Sequence, residues 1–442
     1  VEGKNRHLLI CKGAVEEVFS CCARAEVNGQ SVALDPSHLD KLVQVTRELN
    51  EDGFRVIAIA YKETPATTTT YNVKDESDLV LVGYIAFLDP PKDSAREALA
   101  ALHRHGVTVK ILTGDNEVVT RKVCHDVGLK VDQILLGSDL EAMTDEQLAS
   151  ATENVAVFAK LSPAQKARVI KALHLRGHVV GFLGDGINDG PALKAADVGI
   201  SVDTAVDIAK ESADIILLEK SLMVLEEGVI EGRKVFGNII KYIKMGASSN
   251  FGNMFSVLGA SAWLPFLPMQ AIQVLTNNLL YDFSQTAIPT DHVDEEYIAK
   301  PRRWDIANIT RFMLMLGPIS SIFDYATFAI MYFLFKANTV AGAPLFQTAW
   351  FVESLLSQTL IIHIIRTGRI PFVQSRASLP LVLTSIVICT VGIWLPYSSF
   401  AHVLGFIPLP PQFWPYLIGI LLGYLTLAHL MKSWFVRRYG LN

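Results

Sequence analysis

The chain has 442 residues, of which 50% are hydrophobic and only 19% are charged. This composition is too apolar for an ordinary soluble enzyme, and the apolar excess lies almost wholly after about residue 240. We therefore expect a soluble half joined to a membrane half. The net charge of −5 argues against a nucleic-acid partner, because such proteins need a basic surface.

The first half predicts two soluble domains, residues 1–84 and 85–235. The first domain mixes short strands with one clear helix at 36–50 and ends in a polar loop that contains the threonine run 67–70. The second alternates strands and helices, which predicts a doubly wound parallel α/β sheet. Its expected strands are 80–87, 107–112, 155–159, 179–183 and 198–201, and its expected helices are 92–105, 117–127 and 163–175.

The second half, residues 236–442, predicts a six-helix membrane domain. Its six stretches are long enough to cross a bilayer, and they cover residues 246–264, 270–289, 309–335, 346–365, 379–397 and 414–435. Basic residues concentrate in the connections 300–303 and 366–369 and in the tail at Arg437 and Arg438. By the positive-inside rule, the soluble half and both termini lie on the cytoplasmic side.

A glycine- and carboxylate-rich motif follows the expected strand 179–183. It reads Gly184-Asp185-Gly186-Ile187-Asn188-Asp189 and precedes a helix-forming stretch. In α/β sheets the carboxyl ends of the strands are where ligands bind. Asp185 and Asp189 offer the hard oxygen ligands that suit Mg²⁺ on a phosphoryl group. The alternative for such a motif alone is a surface turn.

Two further elements point to the same edge of the sheet. Thr113-Gly114-Asp115 follows the strand 107–112, so its hydroxyl and backbone N–H groups can face the same ligand. Lys166 follows the helix start at Ser162-Pro163, where one cation could neutralise a transferring phosphoryl group. A lone lysine on a helix is usually a solvated charge, and the functional interpretation depends on this context. Asp89-Pro90-Pro91-Lys92 resembles a hinge into the domain.

These motifs resemble those of the P-type cation-transporting ATPases, whose phosphorylation domain is haloacid-dehalogenase-like. The resemblance covers the whole chain and implies ATP and Mg²⁺ as cofactors. It implies that Asp185 binds Mg²⁺, that Thr113 and Gly114 form the phosphate-binding loop, and that Lys166 contacts phosphate. It further assigns Asn188 and Asp189 to the phosphorylation site, Lys12 and Gly13 to the adenine pocket, and Arg55 and Asp115 to nucleotide contacts.

One departure from the family is serious. The acceptor aspartate of the family lies in an Asp-Lys-Thr-Gly-Thr motif, which does not occur in these residues. The chain starts at Val1 rather than methionine. We therefore expect a missing N-terminal part of the same polypeptide to carry the nucleophile, and we expect the chain alone to be inactive.

Polar groups within the expected spans predict a cation site, because such groups are costly in a bilayer. Asn250 and Asn253 share a face of the first span, and Asn278 and Asp282 share a face of the second. The fourth span carries Glu353 and Gln358. Hydrogen bonding between helices is the alternative interpretation, which we favour for Ser248 and Ser249.

The resemblance places the ion ligands at Asn250, Asn278 and Asp282, and residues 281–294 are most similar to the bacterial magnesium-transporting pumps. It implies import of Mg²⁺ across the bacterial inner membrane, with membrane lipid as a further partner. Two alternatives stay open at this point. One is a pump of the same class for Ca²⁺ or protons, and the other is a natural, truncated, non-catalytic nucleotide-binding membrane protein.

Overall fold

The computed structural model describes residues 6–66, 70–88, 90–219 and 221–440. Asp89 of the expected hinge and residues 67–69 of the threonine run lie outside the described residues. The chain divides into two units, residues 1–226 and 227–442, and each is described by itself.

The first unit begins with a five-stranded sheet in the order β1-β4-β5-β2-β3. In the described part of this sheet, β2 and β5 pair in parallel and the other strand pairs are antiparallel. Alternate residues of β4, Val56, Ala58 and Ala60, are buried, which is the period of a half-buried strand. The expected helix 36–50 is confirmed as α2. The elements are β1 (Arg6–Ala14), α1 (Val15–Ser20), β2 (Cys22–Val27), β3 (Gln30–Ala33), α2 (Pro36–Glu51), β4 (Phe54–Pro65) and β5 (Leu79–Leu88).

Strand β5 runs across the position expected as the domain boundary. We expected residues 80–87 to open the second domain, with the boundary at residue 84. The structure instead pairs β5 with β4 from Phe54 to Tyr61 and with β2 on its other side, so residue 84 lies inside a strand of the first sheet. An apolar run shows that a strand is buried but does not show which strand it pairs with.

The rest of the first unit is α/β, and all of its strand pairs are parallel, as expected. The strands form two three-stranded sheets, β6-β8-β7 and β11-β10-β9, rather than one continuous sheet. Among the described residues, the edge strands β6, β7, β9 and β11 each have one unpaired edge. The elements are α3 (Ala95–Arg104), β6 (Ile111–Leu112), α4 (Glu117–Asp126), β7 (Ile134–Leu136), α5 (Gly137–Ala142), α6 (Asp145–Asn154), β8 (Val157–Ala159), α7 (Pro163–Leu175), β9 (Gly181–Leu183), α8 (Gly190–Ala195), β10 (Val198–Val202), α9 (Asp207–Ser212) and β11 (Ile215–Leu217).

The second unit is helical, and α10 begins shortly before it. Tight contacts join α10 to α13, since a β-carbon on Gly252 would lie 2.7 Å from the carbonyl oxygen of Gly317. The helices are α10 (Met223–Ser261), α11 (Ala271–Gln285), α12 (Glu295–Ile298), α13 (Ile306–Ala329), α14 (Ala343–Ile365), α15 (Leu379–Trp394), α16 (Ala401–Leu404) and α17 (Phe413–Tyr439).

Of the six expected spans, the last four fall on helical segments that meet the length and hydropathy requirements for crossing a membrane. Within the described residues, four helical segments are long and apolar enough to cross a membrane: 306–334, 340–365, 379–397 and 413–439. The expected spans 246–264 and 270–289 fall on α10 and α11, which do not meet this criterion. Helix α11 has 15 residues, about 22 Å at 1.5 Å per residue, against a hydrocarbon core of about 30 Å. Both helices also carry the polar groups of the expected cation site.

A buried cluster of charged side chains connects three segments of the second unit: α10, the segment after α11 and the end of α14. The carboxylate of Asp291 accepts hydrogen bonds from Arg366 at 2.8 and 3.0 Å and from Lys241 at 2.8 Å. Its side chain is fully buried, and that of Arg366 is 2% exposed. Burial alone would raise the pKa of Asp291, but Arg366 and Lys241 outweigh it and lower the pKa below its usual value.

Replacing Asp291 with Asn is expected to destabilise the protein by about 3–5 kcal/mol, because it leaves two buried cations without a counter-charge. The depressed pKa means that Asp291 stabilises the wild type above the unfolded-state value of about 4 and loses this effect as pH falls through the folded-state value. Thermal unfolding across the acidic range should therefore lose this pH dependence in the variant.

The exposed pair of Glu296 with Arg369, at 2.7 Å, provides the matched control. Its side chains are 58% and 37% exposed, so Glu296→Gln should change stability by about 1 kcal/mol or less. Equal destabilisation by the two substitutions would contradict the role assigned to Asp291.

Candidate functional site

Helix α7 begins with a capping box that fixes the position of Lys166. The Ser162 hydroxyl accepts from the backbone N–H of Gln165 at 3.3 Å, and the Gln165 side chain accepts from the Ser162 N–H at 2.8 Å. Pro163 occupies the first helical position, where its missing N–H costs nothing. Lys166 therefore lies in the first turn of a helix whose N-terminus is fixed by the capping box.

Lys166 reaches directly into the glycine- and carboxylate-rich motif. Its ammonium group donates to Asp189 Oδ1 at 2.7 Å, and the backbone N–H of Gly186 donates to Asp189 Oδ2 at 3.0 Å. The side chains of Lys166 and Asp189 are only 12% and 11% exposed. The structure thus brings together two elements that sequence reasoning placed at one edge of the sheet. Since both oxygens of Asp189 are engaged, this residue is suited to positioning Lys166.

Asp185 differs from Asp189 in its surroundings. Its side chain is exposed, and the described residues provide no hydrogen-bond or ion-pair partner for its carboxylate. Its backbone is held, because Val206 N–H donates to its carbonyl oxygen at 3.2 Å and the Ser201 hydroxyl donates to that of Gly184 at 2.8 Å. A fixed backbone with a free carboxylate fits the requirements of a Mg²⁺ ligand. Asn188 is likewise exposed.

Gly184 is required by packing against Asp189. A β-carbon at this position would lie 2.6 Å from the β-carbon and 2.8 Å from the carboxyl carbon of Asp189. Real β-carbon contacts are not that short, so a side chain here requires Gly184 or Asp189 to shift, and a shift of Asp189 would disturb its contact with Lys166.

We expect Gly184→Ala to reduce phosphoenzyme formation in the full-length protein by about tenfold or more, through this displacement. Gly177→Ala is a less informative comparison because Gly177 has a positive φ, whereas Gly228, on α10, has open space around its β-carbon position. Gly228→Ala should label normally with γ-labelled ATP. Normal labelling of Gly184→Ala would show that the Asp189 position is not needed.

The loop after β6 is held by its own side chains. The Asp115 N–H donates to Thr113 Oγ1 at 3.1 Å, and the Thr113 hydroxyl donates to Asp115 Oδ2 at 3.0 Å. Arg55, at the start of β4, forms an ion pair with Asp115 Oδ1. The structure therefore joins two residues that were both expected to contact nucleotide, although they are 60 positions apart. Gly114 lies between Thr113 and Asp115 in this loop.

The two residues expected in the adenine pocket lie on β1, next to the strand that carries Arg55. Lys12 pairs with Ile59 and Gly13 with Ala58 of β4. Lys12 is exposed. Their positions are compatible with a shared nucleotide surface on the first sheet, and this assignment stays a prediction.

The expected cation ligands are not assembled in the described part of the chain. Asn250 on α10, and Asn278 and Asp282 on α11, all have exposed side chains. No group of three or more His, Cys, Asp or Glu side chains suited to a metal occurs among the described residues. Asn253 instead accepts from the Gln358 side chain at 3.3 Å. The cation site at Asn250, Asn278 and Asp282 thus stays a prediction.

Sequence reasoning missed a buried acid, Asp324 on α13. It is 2% exposed and accepts from Ser256 on α10 and from Trp350 on α14. The available signal was a carboxylate in the middle of the expected span 309–335, which is costly unless it has a role.

Three family models match the chain. They are described as P-type ATPase, cytoplasmic domain N, at residues 1–94; haloacid dehalogenase-like hydrolase at 61–197; and Cation transporting ATPase, C-terminus, at 266–434. Together they follow the order of the nucleotide contacts, the Lys166–Asp189 site and the membrane helices. The chain belongs to the P-type cation-transporting ATPases.

Relatives of this P-type ATPase chain support the same membership. Magnesium-transporting ATPase, P-type 1, of Escherichia coli K12 is 56% identical over 439 residues, which is 99% of this chain and 49% of the relative. The protein of that name from Salmonella typhimurium LT2 is also 56% identical over the same shares. Calcium-transporting ATPase lmo0841 of Listeria monocytogenes is 34% identical over 62% of this chain. The chain spans about half the length of the magnesium-transporting relatives.

Proposed function

We propose that the full-length protein containing this P-type ATPase chain imports Mg²⁺ across the bacterial inner membrane with energy from ATP, through an aspartyl-phosphate intermediate. Its soluble unit and C-terminus are cytoplasmic in this proposal. The observation that supports this proposal most strongly is the buried Lys166–Asp189 pair in the same motif as the free carboxylate of Asp185. Identity of 56% to magnesium-transporting relatives supports Mg²⁺ as the transported ion.

We propose that the acceptor aspartate lies in a part of the full-length protein outside this chain. That part would correspond to the residues of the relatives that this chain does not match. One of the carboxylate oxygens of this aspartate attacks the γ-phosphorus of ATP, the bond from that phosphorus to the bridging oxygen breaks, and ADP leaves. Water later hydrolyses the acyl phosphate and regenerates the carboxylate. Catalysis of such a transfer depends mainly on positioning and on charge stabilisation.

The residues of the site divide this work. Lys166, held by Asp189, supplies a fixed positive charge to the oxygens of the transferring phosphoryl group. The Gly114 N–H can donate to the same oxygens, and so can the Thr113 hydroxyl once it is released from Asp115. Asp185 would hold the resident Mg²⁺, which when bound supplies positive charge at the phosphoryl group.

Arg55 and Asp115 are proposed to contact the nucleotide. A guanidinium group forms paired hydrogen bonds with phosphate as readily as with a carboxylate. The Arg55–Asp115 ion pair is partly exposed, with side chains 55% and 29% exposed, so a nucleotide phosphate can compete for Arg55 at low cost.

The transported ion is proposed to bind at Asn250, Asn278 and Asp282. One carboxylate with two amides suits a small cation that keeps part of its water shell. Asn253 offers an amide that already binds Gln358, so we do not include it.

Transport by cells that lack their own magnesium uptake systems tests this function. Expression of the full-length protein should restore growth at low Mg²⁺ and should give ATP-dependent Mg²⁺ uptake into the cells. Restored Ca²⁺ transport or ATP-driven acidification without Mg²⁺ uptake would replace Mg²⁺ by Ca²⁺ or protons as the transported ion. Failure of γ-labelled ATP to form an acid-stable, hydroxylamine-sensitive band would exclude the pump.

A further inference from the structure

A buried lysine connects the last helix of the second unit to the end of α14. Lys432, on α17, is 2% exposed. Its ammonium group donates to the backbone carbonyl oxygens of Ile364, Thr367 and Arg369 at 3.1, 2.9 and 3.1 Å. We call these three oxygens the carbonyl cluster. An ammonium group has three N–H donors, so the cluster takes up all of them.

The position of the carbonyl cluster explains why it attracts a cation. Ile364 lies in the last turn of α14, where backbone carbonyl groups lack a partner within the helix and form the negative end of the helix dipole. Thr367 and Arg369 follow the end of the helix, and their carbonyl oxygens accept from the same ammonium group. Three carbonyl oxygens directed at one point repel one another, and a positive charge between them offsets this repulsion.

The same connection after α14 also binds the segment that follows α11. The Thr367 hydroxyl donates to the Asp294 carboxylate and lies 2.8 and 2.9 Å from its two oxygens. The Gly368 N–H donates to Asp294 Oδ2 at 2.8 Å. Arg366 pairs with Asp291 in the buried cluster of charged side chains. The connection therefore contacts α17 through its carbonyl groups and the segment after α11 through its donors.

The geometry of the carbonyl cluster selects the class of cation. Its oxygens lie 2.9–3.1 Å from the nitrogen of Lys432, which suits a compact ammonium group. Mg²⁺ needs near-octahedral oxygen coordination at about 2.0–2.1 Å, and three carbonyl groups at these longer distances do not provide it. A guanidinium group is planar, so it does not direct its donors at converging oxygens as an ammonium group does.

We propose that the carbonyl cluster is a site for a monovalent ammonium-type cation, and that the side chain of Lys432 occupies it. Lys432 is then a positioning residue, because it holds the connection 366–369 in the shape that binds Asp291 and Asp294. The segment that contains these two aspartates follows the helix of Asp282, so loss of the cation would loosen one end of the proposed transport site. This effect on transport rests on the proposed function, whereas the carbonyl cluster itself does not.

Chemical rescue of a truncated lysine tests this site. Lys432→Ala, made in the full-length protein in lipid nanodiscs, removes the ammonium group and leaves the carbonyl cluster without a cation. A cavity of about 60 Å³ borders Lys432 and reaches Gly440, which is exposed, so a small amine can enter from solution. The probe is methylammonium. Its control is tetramethylammonium, a cation without N–H donors.

We expect Lys432→Ala to unfold at a lower temperature than the wild type. Methylammonium should raise the unfolding temperature of this variant by several degrees, because it binds the folded state alone. Tetramethylammonium at the same concentration should not. The two salts should act equally on the wild type, whose site is filled. Lys300 is exposed in the same unit, and Lys300→Ala should unfold like the wild type in both salts.

ATP hydrolysis tests the positioning role separately. Mg²⁺-stimulated hydrolysis should fall in Lys432→Ala and should recover with methylammonium but not with tetramethylammonium. Lys300→Ala should hydrolyse ATP like the wild type in either salt. Recovery of the unfolding temperature without recovery of hydrolysis would contradict the positioning role.

Lys432→Arg provides a second variant if Lys432→Ala fails to fold. It keeps the positive charge, but we expect it to unfold at a lower temperature than the wild type, because a guanidinium group does not match the carbonyl cluster. Wild-type stability of either variant, or equal stabilisation of Lys432→Ala by the two salts, would overturn the proposal. The unfolding measurements depend on neither ATP nor transport, so the site can fail while the proposed pump stands.

Discussion

Replacing Asp185 with Ala in the full-length protein is expected to reduce phosphoenzyme formation from γ-labelled ATP by about 100-fold or more. The carboxylate of Asp185 is exposed and without a partner among the described residues, beside the Lys166–Asp189 pair. Removing it would take away the proposed oxygen ligand of Mg²⁺ at the phosphoryl group, and loss of one such charge-stabilising contact costs on the order of 10²–10³ in rate.

Asp207 provides the matched control, because it is an aspartate of the same unit with a 93% exposed side chain. Asp207→Ala should label like the wild type. Binding of a fluorescent ATP analogue should be retained in both variants, since Arg55, Lys12 and Gly13 are unchanged. Labelling of Asp185→Ala at the wild-type level would remove Asp185 from the site.

The second large effect is expected from Asp282→Asn in the membrane unit. The substitution removes the only carboxylate of the proposed cation site at nearly constant volume. Transport of Mg²⁺ and its stimulation of ATP hydrolysis should fall about tenfold or more, equivalent to about 1.4 kcal/mol in cation binding. Nucleotide binding should stay intact, because it depends on the first unit.

Glu295→Gln is a suitable control, since Glu295 is an exposed carboxylate on α12. It should leave both uptake and ATP hydrolysis unchanged. If Asp282→Asn transports Mg²⁺ as well as this control does, the cation must be bound elsewhere. Loss of ATP-analogue binding in Asp282→Asn would instead indicate a general folding defect.

Much of the geometry of the proposed phosphoryl site could be predicted because it is local. The capping residues of α7 and the glycines around Asp185 are read directly from the sequence, and each fixes a short segment. The Lys166–Asp189 contact can be expected because both segments lie at the carboxyl ends of parallel strands, which share one edge of a sheet. The two strands that pair with β5, β2 and β4, could not be predicted, since an apolar strand pattern does not specify its neighbours in the sheet.

The membrane half was harder to predict for the same reason. The spacing of Asn278 and Asp282 places them on one helical face, but whether that face is buried depends on the surrounding helices. In the structure it is exposed. Asp324 is buried by residues 68 and 26 positions away, Ser256 and Trp350, and no local pattern connects these three.

The unpaired strand edges of the two parallel sheets, among them those of β6 and β9, affect how this chain behaves when it is expressed by itself. An open strand edge presents free N–H and C=O groups to any other extended chain. Beside β9, Val179 is 75% exposed, and Leu183 within it is 37% exposed. We therefore expect the isolated chain to self-associate increasingly as its concentration rises. This association would occur through the first unit, and detergent that covers the apolar helices would not prevent it.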